Sequence, residues 1–135
     1  MRYLLIWDID GTLLKLTGVG RKSFEKAFYQ LFGVEKALES IDMSGSLDTE
    51  ILEEAFRLHG LENTCLEALQ DKYLQILRDE VSKLENPAVC PGVLEILECL
   101  SLRHDFYNII GTGNMEKAAR IKLSAGGLNR FFPTG

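Results

Sequence analysis

Residues 4–13 read LLIWDIDGTL, and this stretch decides how the rest of the chain is interpreted. Its apolar half is typical of a strand that is buried on both faces of a parallel sheet, which we predict over residues 2–9. Asp8 and Asp10 lie at the end of that strand with one residue between them, so an extended chain places both carboxylates on the same side. Asp and Gly also form simple turns, and the stretch taken alone leaves that purely structural role open.

Two carboxylates at the end of a strand can serve three chemical purposes. They can bind a hard cation such as Mg²⁺, which prefers oxygen ligands. One can attack phosphorus as a nucleophile, and the other can protonate a leaving group and then activate water. A bound Mg²⁺ would offset the repulsion between two anions and an incoming phosphate. Asp8 and Asp10 are therefore candidate catalytic residues and candidate metal ligands.

A second short apolar strand, predicted over residues 106–110, ends in the turn Gly111-Thr112-Gly113-Asn114. A hydroxyl at a strand end, followed by glycine and the start of a helix, can hold a phosphoryl oxygen together with backbone N–H groups. The alternative is that Asn114 only caps the helix and Gly113 only eases the turn. Because ligands of open parallel sheets bind beyond the carboxyl ends of the strands, we expect the two turns to meet in one crevice.

The chain between these strands predicts helices alone over residues 15–86, which favours an α/β domain interrupted by an all-helical insert. Ser46 or Asp48 is expected to cap one of these helices. Whether Arg21, Ser46 or Asp48 faces the crevice is a question that the sequence leaves open. The helices of the whole chain, with a break expected at Asn86-Pro87 after the third, are predicted over residues 24–32, 48–58, 64–84, 93–103 and 115–125.

The composition excludes several classes of protein. With 135 residues, of which 46% are hydrophobic and 26% charged, the chain can bury a core and is not typical of a disordered protein. Its net charge of −5 argues against general nucleic-acid binding, which needs a basic surface. No apolar run approaches the roughly 20 residues of a membrane span. Cys65, Cys90 and Cys99 form no CxxC pair, so we expect three small buried side chains in a cytoplasmic protein.

Together the two motifs resemble those of the haloacid dehalogenase superfamily, which has hhhhDxDGT at its first strand and hhhhT/S at its second, where h is apolar. This chain has LLIWDIDGTL and YNIIGTGN at these places. The helical insert resembles the cap of the phosphoglycolate-phosphatase-like branch, and VCPGVLEILECL resembles the return of the chain into the core. The resemblance implies a Rossmann-like parallel-sheet core over residues 1–14 and 87–135, with an α-helical cap over residues 15–86.

The resemblance also implies a role for each residue of the two motifs. Asp8 would be the nucleophile that forms an aspartyl-phosphate, and Asp10 would be the general acid and base. Both would bind Mg²⁺, Asp10 through its backbone carbonyl. The true dehalogenases lack the second acid, because a halide leaving group needs no proton, so its presence favours a phosphatase or a phosphomutase. The phosphate-binding residues would be Gly11, Thr12, Thr112, Gly113 and Asn114.

The sequence departs from the family pattern after the second motif. The family also needs a basic residue there and then an acidic turn that completes the Mg²⁺ site, whereas this chain has no acidic residue after Glu116. Lys117 and Lys122 are candidates for the base, but we expect both to be solvated side chains of the last helix. Because only two strands are evident, we expect an incomplete core and a chain that is the front part of a longer enzyme.

The function that these features favour is Mg²⁺-dependent hydrolysis of a small phosphorylated metabolite, with the cap closing over the site. A covered site admits a small molecule more readily than a phosphorylated protein. Two alternatives stay open, a phosphomutase of the same superfamily and a truncated, non-catalytic module that binds phosphate. The sequence identifies neither the substrate nor the oligomeric state.

Overall fold

A computed structural model of the chain describes residues 1–84 and 88–133. In chain order its elements are β1 (Tyr3–Trp7), β2 (Leu14–Lys15), α1 (Val19–Phe32), α2 (Asp48–His59), a 3₁₀ turn (Asn63–Cys65), α3 (Leu66–Ser82), β3 (Ala88–Val89), α4 (Val93–Ser101), β4 (Phe106–Ile110), α5 (Glu116–Ala125) and a 3₁₀ turn (Asn129–Phe131). Helices α1, α2 and α3 form the helical insert. The helix break expected at Asn86-Pro87 lies outside the described residues. None of the described helices is long and apolar enough to cross a membrane.

Strands β1 and β4 form a parallel pair, although the helical insert separates them in the chain. Their register joins Tyr3 to Phe106 and Trp7 to Ile110, so both strands end at the same level. The Trp7 indole N–H donates to Asn108 Oδ1 at 3.0 Å, which adds a side-chain hydrogen bond across the pair. The parallel pair with its helices confirms the predicted α/β class and the incomplete Rossmann-like core.

The helical insert has an apolar core of its own. The Phe24 ring of α1 stacks on the Tyr73 ring of α3, with ring centres 3.6 Å apart and planes inclined by 3°. Phe28 of α1 contacts Phe56 of α2 edge to face, with ring centres 5.9 Å apart. All four side chains are buried. Aromatic pairs of this kind stabilise beyond the area that they bury, so they fix how the three helices face each other.

Two short strands pair the chain segment that precedes the insert with the segment that follows it. Strand β2 pairs antiparallel with β3, and the register joins Leu14 to Val89. The Cys90 N–H also donates to the Leu13 carbonyl at 2.9 Å. A strand of two residues gives no periodic signal, so the sequence does not predict this pair. The pairing supports the predicted boundaries between the core and the helical insert, near residues 14 and 87, and these boundaries stay predictions.

The start of α2 differs from its prediction. The helix begins at Asp48 with Leu47 at the N-cap position, so neither Ser46 nor Asp48 occupies the cap. The Glu50 carboxylate instead accepts a hydrogen bond from the Leu47 N–H at 3.1 Å. The Asp48 side chain therefore does not cap its own helix and can form hydrogen bonds elsewhere.

The expectation of three buried cysteines is wrong for Cys99. Cys99 is exposed, whereas Cys65 and Cys90 are half-buried, and all three are free. On α4 the buried positions are Val93 and Leu97. Cys99 follows Leu97 by two residues, which places it on the opposite face of the helix.

Candidate active site

The two polar turns lie side by side at the carboxyl ends of β1 and β4. The Gly111 N–H donates to the Trp7 carbonyl at 2.8 Å, which continues the parallel pair by one residue. A cavity of about 800 Å³ opens beyond this edge. Its walls include Asp8, Asp10 and Thr112 from the turns, together with residues of the helical insert. The expected meeting of the two turns in one crevice is therefore observed.

Asp10 belongs to a small polar network. Lys122 Nζ lies 2.8 and 2.9 Å from the two carboxylate oxygens of Asp10 and 2.6 Å from Asn114 Oδ1. The Asn114 amide donates to Asp10 Oδ2 at 2.7 Å and to Thr112 Oγ1 at 2.7 Å. One lysine and one amide thus tie the first turn to the second. Because Thr112 Oγ1 is the acceptor of this bond, its own hydroxyl proton stays available for donation to a ligand.

Lys122 is buried, with 4% of its surface exposed, and the expectation that it is solvated is wrong. On α5 it shares the buried face with Ala118, Ala119 and Leu123. That spacing is the signal present in the sequence, because residues four apart on a helix lie on the same face. A buried ammonium group needs polar partners, which the network with Asp10 supplies. Lys117 is exposed, as expected.

Asp8, the other acid of the first turn, differs from Asp10 in its contacts. Its side chain makes no hydrogen bond or ion pair within the described residues, and it is exposed at the cavity wall. A carboxylate without partners is available to attack an electrophile or to bind a cation. The two acids of the motif therefore have different environments, one free and one held.

The backbone N–H groups predicted to bind phosphate differ in whether they are already hydrogen-bonded and whether they lie at the cavity. The Gly11 N–H donates to Leu14 O at 2.8 Å and the Thr12 N–H donates to Ile9 O at 3.3 Å, so the turn itself uses both. The described cavity wall includes Gly11 and not Thr12. The Gly113 N–H makes no hydrogen bond among the described residues and lies at the cavity wall. It is therefore free to bind an anion.

The helical insert reaches the second turn through Asp48, the first residue of α2. The Asp48 N–H donates to Gly113 O at 2.8 Å, and the Asp48 carboxylate accepts a hydrogen bond from the Met115 N–H at 2.9 Å. These two bonds lie on either side of Asn114. Burial raises the pKa of Asp48, while the Met115 N–H and the charge of Lys122 oppose that rise.

The three insert residues that the sequence leaves open, Arg21, Ser46 and Asp48, all line the cavity. The Arg21 guanidinium donates to the Leu38 carbonyl, which holds it within the insert. A Cβ atom at Gly113 would lie 2.6 Å from the Ser46 carbonyl oxygen, far inside normal contact distance. Glycine in the second turn is therefore what allows the insert to approach so closely.

Tyr73 of α3 also lines the cavity, a position that the sequence alone does not predict. Its spacing from Leu69, Ile76 and Leu77 is that of an apolar helix face, and this face is buried. The hydroxyl distinguishes Tyr73 from its neighbours. Its reach to the cavity depends on the packing of α3 against α1, which helical periodicity does not encode.

The site offers oxygen ligands for a metal ion. Within residues 1–84 and 88–133 no group of three or more His, Cys, Asp and Glu side chains could hold a metal ion. The donors that fit Mg²⁺ are the free carboxylate of Asp8 and the backbone carbonyl of Asp10, whose own carboxylate is held by Lys122. Mg²⁺ keeps several waters and takes phosphate oxygens in such sites, so two protein oxygens are chemically compatible with it.

Comparisons with known proteins agree with this architecture. The profile of a family described as haloacid dehalogenase-like hydrolase matches residues 5–134. CbbY from Rhodobacter sphaeroides, in complex with phosphate, is similar in structure with a TM-score of 0.73 and 17% sequence identity. A mutant of CbbY in complex with xylulose-(1,5)-bisphosphate has a TM-score of 0.73 and 16% identity. Both matches cover 98% of this chain and 62% of the other.

YfnB from Bacillus subtilis, bound to magnesium, is similar with a TM-score of 0.54 and 17% identity, and the match covers 98% of this chain and 63% of that one. Identities of this size establish the fold alone. The chain spans about three fifths of the length of these structures. A comparison with curated proteins finds no match.

Proposed function

The chain belongs to the haloacid dehalogenase-like hydrolases, and we propose that it is a phosphatase, or part of one, that hydrolyses small phosphate monoesters. The observation that carries this proposal is the presence, at one cavity, of a free carboxylate on Asp8 and a held carboxylate on Asp10. The hydroxyl of Thr112 and the N–H of Gly113 belong to the same cavity wall and can hold phosphoryl oxygens.

In the proposed reaction Asp8 attacks phosphorus, and the bond between phosphorus and the ester oxygen breaks. Asp10, after one of its oxygens has left Lys122 and taken a proton from solvent, gives that proton to the departing oxygen, so an alcohol leaves and an aspartyl-phosphate remains on Asp8. Asp10 then takes a proton from water, whose oxygen attacks phosphorus. The bond between Asp8 and phosphorus breaks, inorganic phosphate is released, and Asp8 is again a free carboxylate while Asp10 holds the proton taken from water.

Lys122 controls when Asp10 takes part. Both carboxylate oxygens of Asp10 accept hydrogen bonds from Lys122 in the structure. Proton transfer requires at least one of these oxygens to face the substrate or water, so Lys122 has to release it. The Asn114 side chain bonds to both partners and keeps them aligned during that exchange.

The proposed cofactor is Mg²⁺, held by the Asp8 carboxylate and the Asp10 backbone carbonyl. When bound, it supplies positive charge that reduces the repulsion between an anionic substrate and the Asp8 carboxylate. The magnesium bound to YfnB, a protein of similar fold, supports this choice. The chain contributes oxygen donors at the end of β1, where a bridge between Asp10 and Leu14 shapes the turn.

The proposed substrate is a small phosphorylated metabolite. A cavity of about 800 Å³ suits a molecule of that size. CbbY in complex with phosphate, and its mutant in complex with xylulose-(1,5)-bisphosphate, support a phosphorylated ligand. A phosphomutase, which would return the phosphoryl group to a sugar, is the alternative enzyme. A cytoplasmic location stays a prediction.

The test is the release of inorganic phosphate from p-nitrophenyl phosphate by the 135-residue chain, with Mg²⁺ and with EDTA. We expect turnover that requires Mg²⁺ and that falls at least about a thousandfold in Asp8→Asn, because the nucleophile is lost. Asp71→Asn is the matched control, since Asp71 is exposed on α3 and outside the cavity wall, and it should keep wild-type turnover. A folded chain without turnover would favour the non-catalytic alternative.

A further inference from the structure

Tyr73 is a fully buried residue of the helical insert that the reaction above does not use. Its ring lies against Phe24 with ring centres 3.6 Å apart, and 1% of the residue is exposed. A Cβ atom placed on Gly20 would be 3.9 Å from the Tyr73 hydroxyl and 3.5 Å from Lys122 Nζ. The hydroxyl and the ammonium group therefore both lie next to Gly20. Both side chains line the cavity that contains the two acids.

The Tyr73 hydroxyl has no hydrogen-bond partner among the described residues. Buried tyrosine hydroxyls usually find one, because an unpaired polar group in the interior is costly. In the described part of the chain, Ser23 Oγ is the one side-chain polar atom that is fully enclosed without a partner. The Tyr73 hydroxyl is not enclosed in this way and opens on the cavity, where an oxygen of a ligand can be its partner.

The hydroxyl acts as a hydrogen-bond donor in this environment. Burial raises the pKa of Tyr73 above its usual value, and the nearby carboxylates of Asp48 and Asp10 add to the rise. The group stays protonated at neutral pH as a result. Two negative charges close by also favour a neutral donor over an anion, so the partner is an acceptor oxygen of the ligand.

The position of Tyr73 favours contact with the organic part of the substrate. The phosphoryl group has to lie at Asp8 and Thr112, at the ends of the two strands. Asp10 gives its proton to the departing oxygen and is held by Lys122, which lies next to Gly20 as the Tyr73 hydroxyl does. The hydroxyl is therefore on the side of the leaving group.

The cavity wall contributed by the insert and the chain leading to it carries polar as well as apolar side chains. Thr17, Ser44 and Ser46 belong to it, and so do the cationic residues Lys15 and Arg21. Apolar side chains such as Leu16, Met43 and Ile51 lie beside them. The polar groups of this wall can pair with hydroxyl groups of a leaving group, which an aryl leaving group lacks.

We propose that Tyr73 is a specificity-determining residue, whose hydroxyl donates a hydrogen bond to a hydroxyl oxygen of the leaving group and so selects sugar or polyol phosphates over aryl phosphates. This inference rests on the proposed phosphatase function and names its substrate class. The stack with Phe24 holds the ring in place before the substrate arrives, which limits the ordering that binding requires.

The kinetic test uses Tyr73→Phe, which removes the hydroxyl and keeps the ring that stacks on Phe24. It compares p-nitrophenyl phosphate with glycerol 3-phosphate, ribose 5-phosphate and glucose 6-phosphate. We expect kcat/KM for the best of these three hydroxylated substrates to fall about tenfold, mainly through KM, while that for p-nitrophenyl phosphate changes less than about twofold. Tyr29→Phe, at an exposed position of α1, should change neither.

A second readout does not need turnover. In an Asp8→Asn background, calorimetry measures the binding of inorganic phosphate and of the same three hydroxylated phosphates. We expect Tyr73→Phe to weaken the tightest of the three about tenfold and to leave inorganic phosphate within about twofold. If the wild-type chain shows no turnover and this difference in binding is still observed, the result would contradict the phosphatase and support the role of Tyr73. The role of Tyr73 would be overturned if Tyr73→Phe weakened all ligands equally or weakened none. It would also be overturned if the Asp8→Asn chain with Tyr73 unchanged bound no hydroxylated phosphate more tightly than inorganic phosphate.

Discussion

Lys122 brings a positive charge to a cavity whose other charged groups include Asp8, Asp10 and Asp48. Its ammonium group is buried and contacts Asp10 and Asn114. Replacement by an apolar side chain removes the charge that balances an incoming phosphate and removes the lysine's hydrogen bonds to both partners, while the bond between Asn114 and Asp10 stays. We therefore expect Lys122→Met to lower kcat at least about a hundredfold, measured as phosphate release in the presence of Mg²⁺.

The same substitution should affect stability less than activity. The Asp10 side chain is 49% exposed, so water replaces part of the lost contact, and we expect the free energy of unfolding to fall by about 1 kcal/mol. Lys117→Met is the matched control, because Lys117 is exposed on the same helix, and it should stay within about 0.5 kcal/mol of wild type with unchanged activity. Wild-type turnover in Lys122→Met would show that Asp10 works without the lysine.

Asp48 makes the stability of the fold depend on pH. Burial raises its pKa above the usual 3.8, so the folded protein holds this proton more tightly than the unfolded chain does. Such a group stabilises the fold below its unfolded pKa, and that contribution is lost as pH rises through the folded pKa. Asp48→Asn keeps an oxygen that can accept the hydrogen bond from the Met115 N–H, and it does not titrate.

We therefore expect the free energy of unfolding of Asp48→Asn, relative to wild type, to increase as the pH rises above about 4. Urea unfolding of both chains at several pH values between about 4 and about 7 measures this difference. Taking the difference cancels the exposed acids that both chains share. A difference that stays constant over this range would mean that Asp48 has the same pKa in the folded and unfolded states.

Among the elements, the packing of α1 against α2 depends on one aromatic cluster. The ring centre of Phe28 lies 5.9 Å from the ring centres of both Phe32 and Phe56, and Phe28 is fully buried. Phe28→Ala leaves a cavity in that cluster, and we expect a loss of about 3 to 5 kcal/mol of the free energy of unfolding. Tyr29→Ala, at an exposed position of the same helix, should cost less than about 1 kcal/mol. Urea denaturation followed by circular dichroism measures both losses. Equal losses would show that the aromatic cluster contributes no more to stability than an exposed position does.

The elements were more predictable than the contacts between them. Strands β1 and β4 and the five helices follow from apolar runs and from helical periodicity, which are local properties of the chain. Strands β2 and β3 hold two residues each, and their pairing brings Leu14 to Val89 across the whole insert. No local pattern encodes a contact of that kind.

The same distinction applies to the candidate site. Asp8, Asp10 and Thr112 lie at the ends of predictable strands, so their meeting in one crevice could be predicted from the parallel arrangement. The burial of Lys122 and the position of the Tyr73 hydroxyl depend on how α5 and α3 pack against the rest of the chain. Helical spacing places Lys122 on the buried face of α5, but which polar groups that face meets is set by tertiary packing, which the spacing does not specify.

In the molecule as a whole, one face of the β1–β4 sheet is exposed. Leu4 and Ile6 alternate along β1 and therefore share a face, where they are 58% and 66% exposed. Tyr107, the β4 partner of Leu4, is 47% exposed. Parallel sheets are normally covered on both faces, and this chain spans 62% of the length of CbbY, whose fold it shares. Apolar surface therefore remains in water on this face.

We expect this face to make the 135-residue chain self-associate, because contact between copies buries apolar surface that is otherwise exposed. Analytical ultracentrifugation over a concentration series measures the association. Leu4→Thr combined with Ile6→Thr should suppress it, since threonine is polar and keeps the preference of β-branched residues for strands. Leu58→Thr combined with Leu102→Thr, at leucines that are 45% and 82% exposed outside the sheet, is the matched control. Association that persists in the first variant, or that disappears equally in the control, would place the contact elsewhere on the surface.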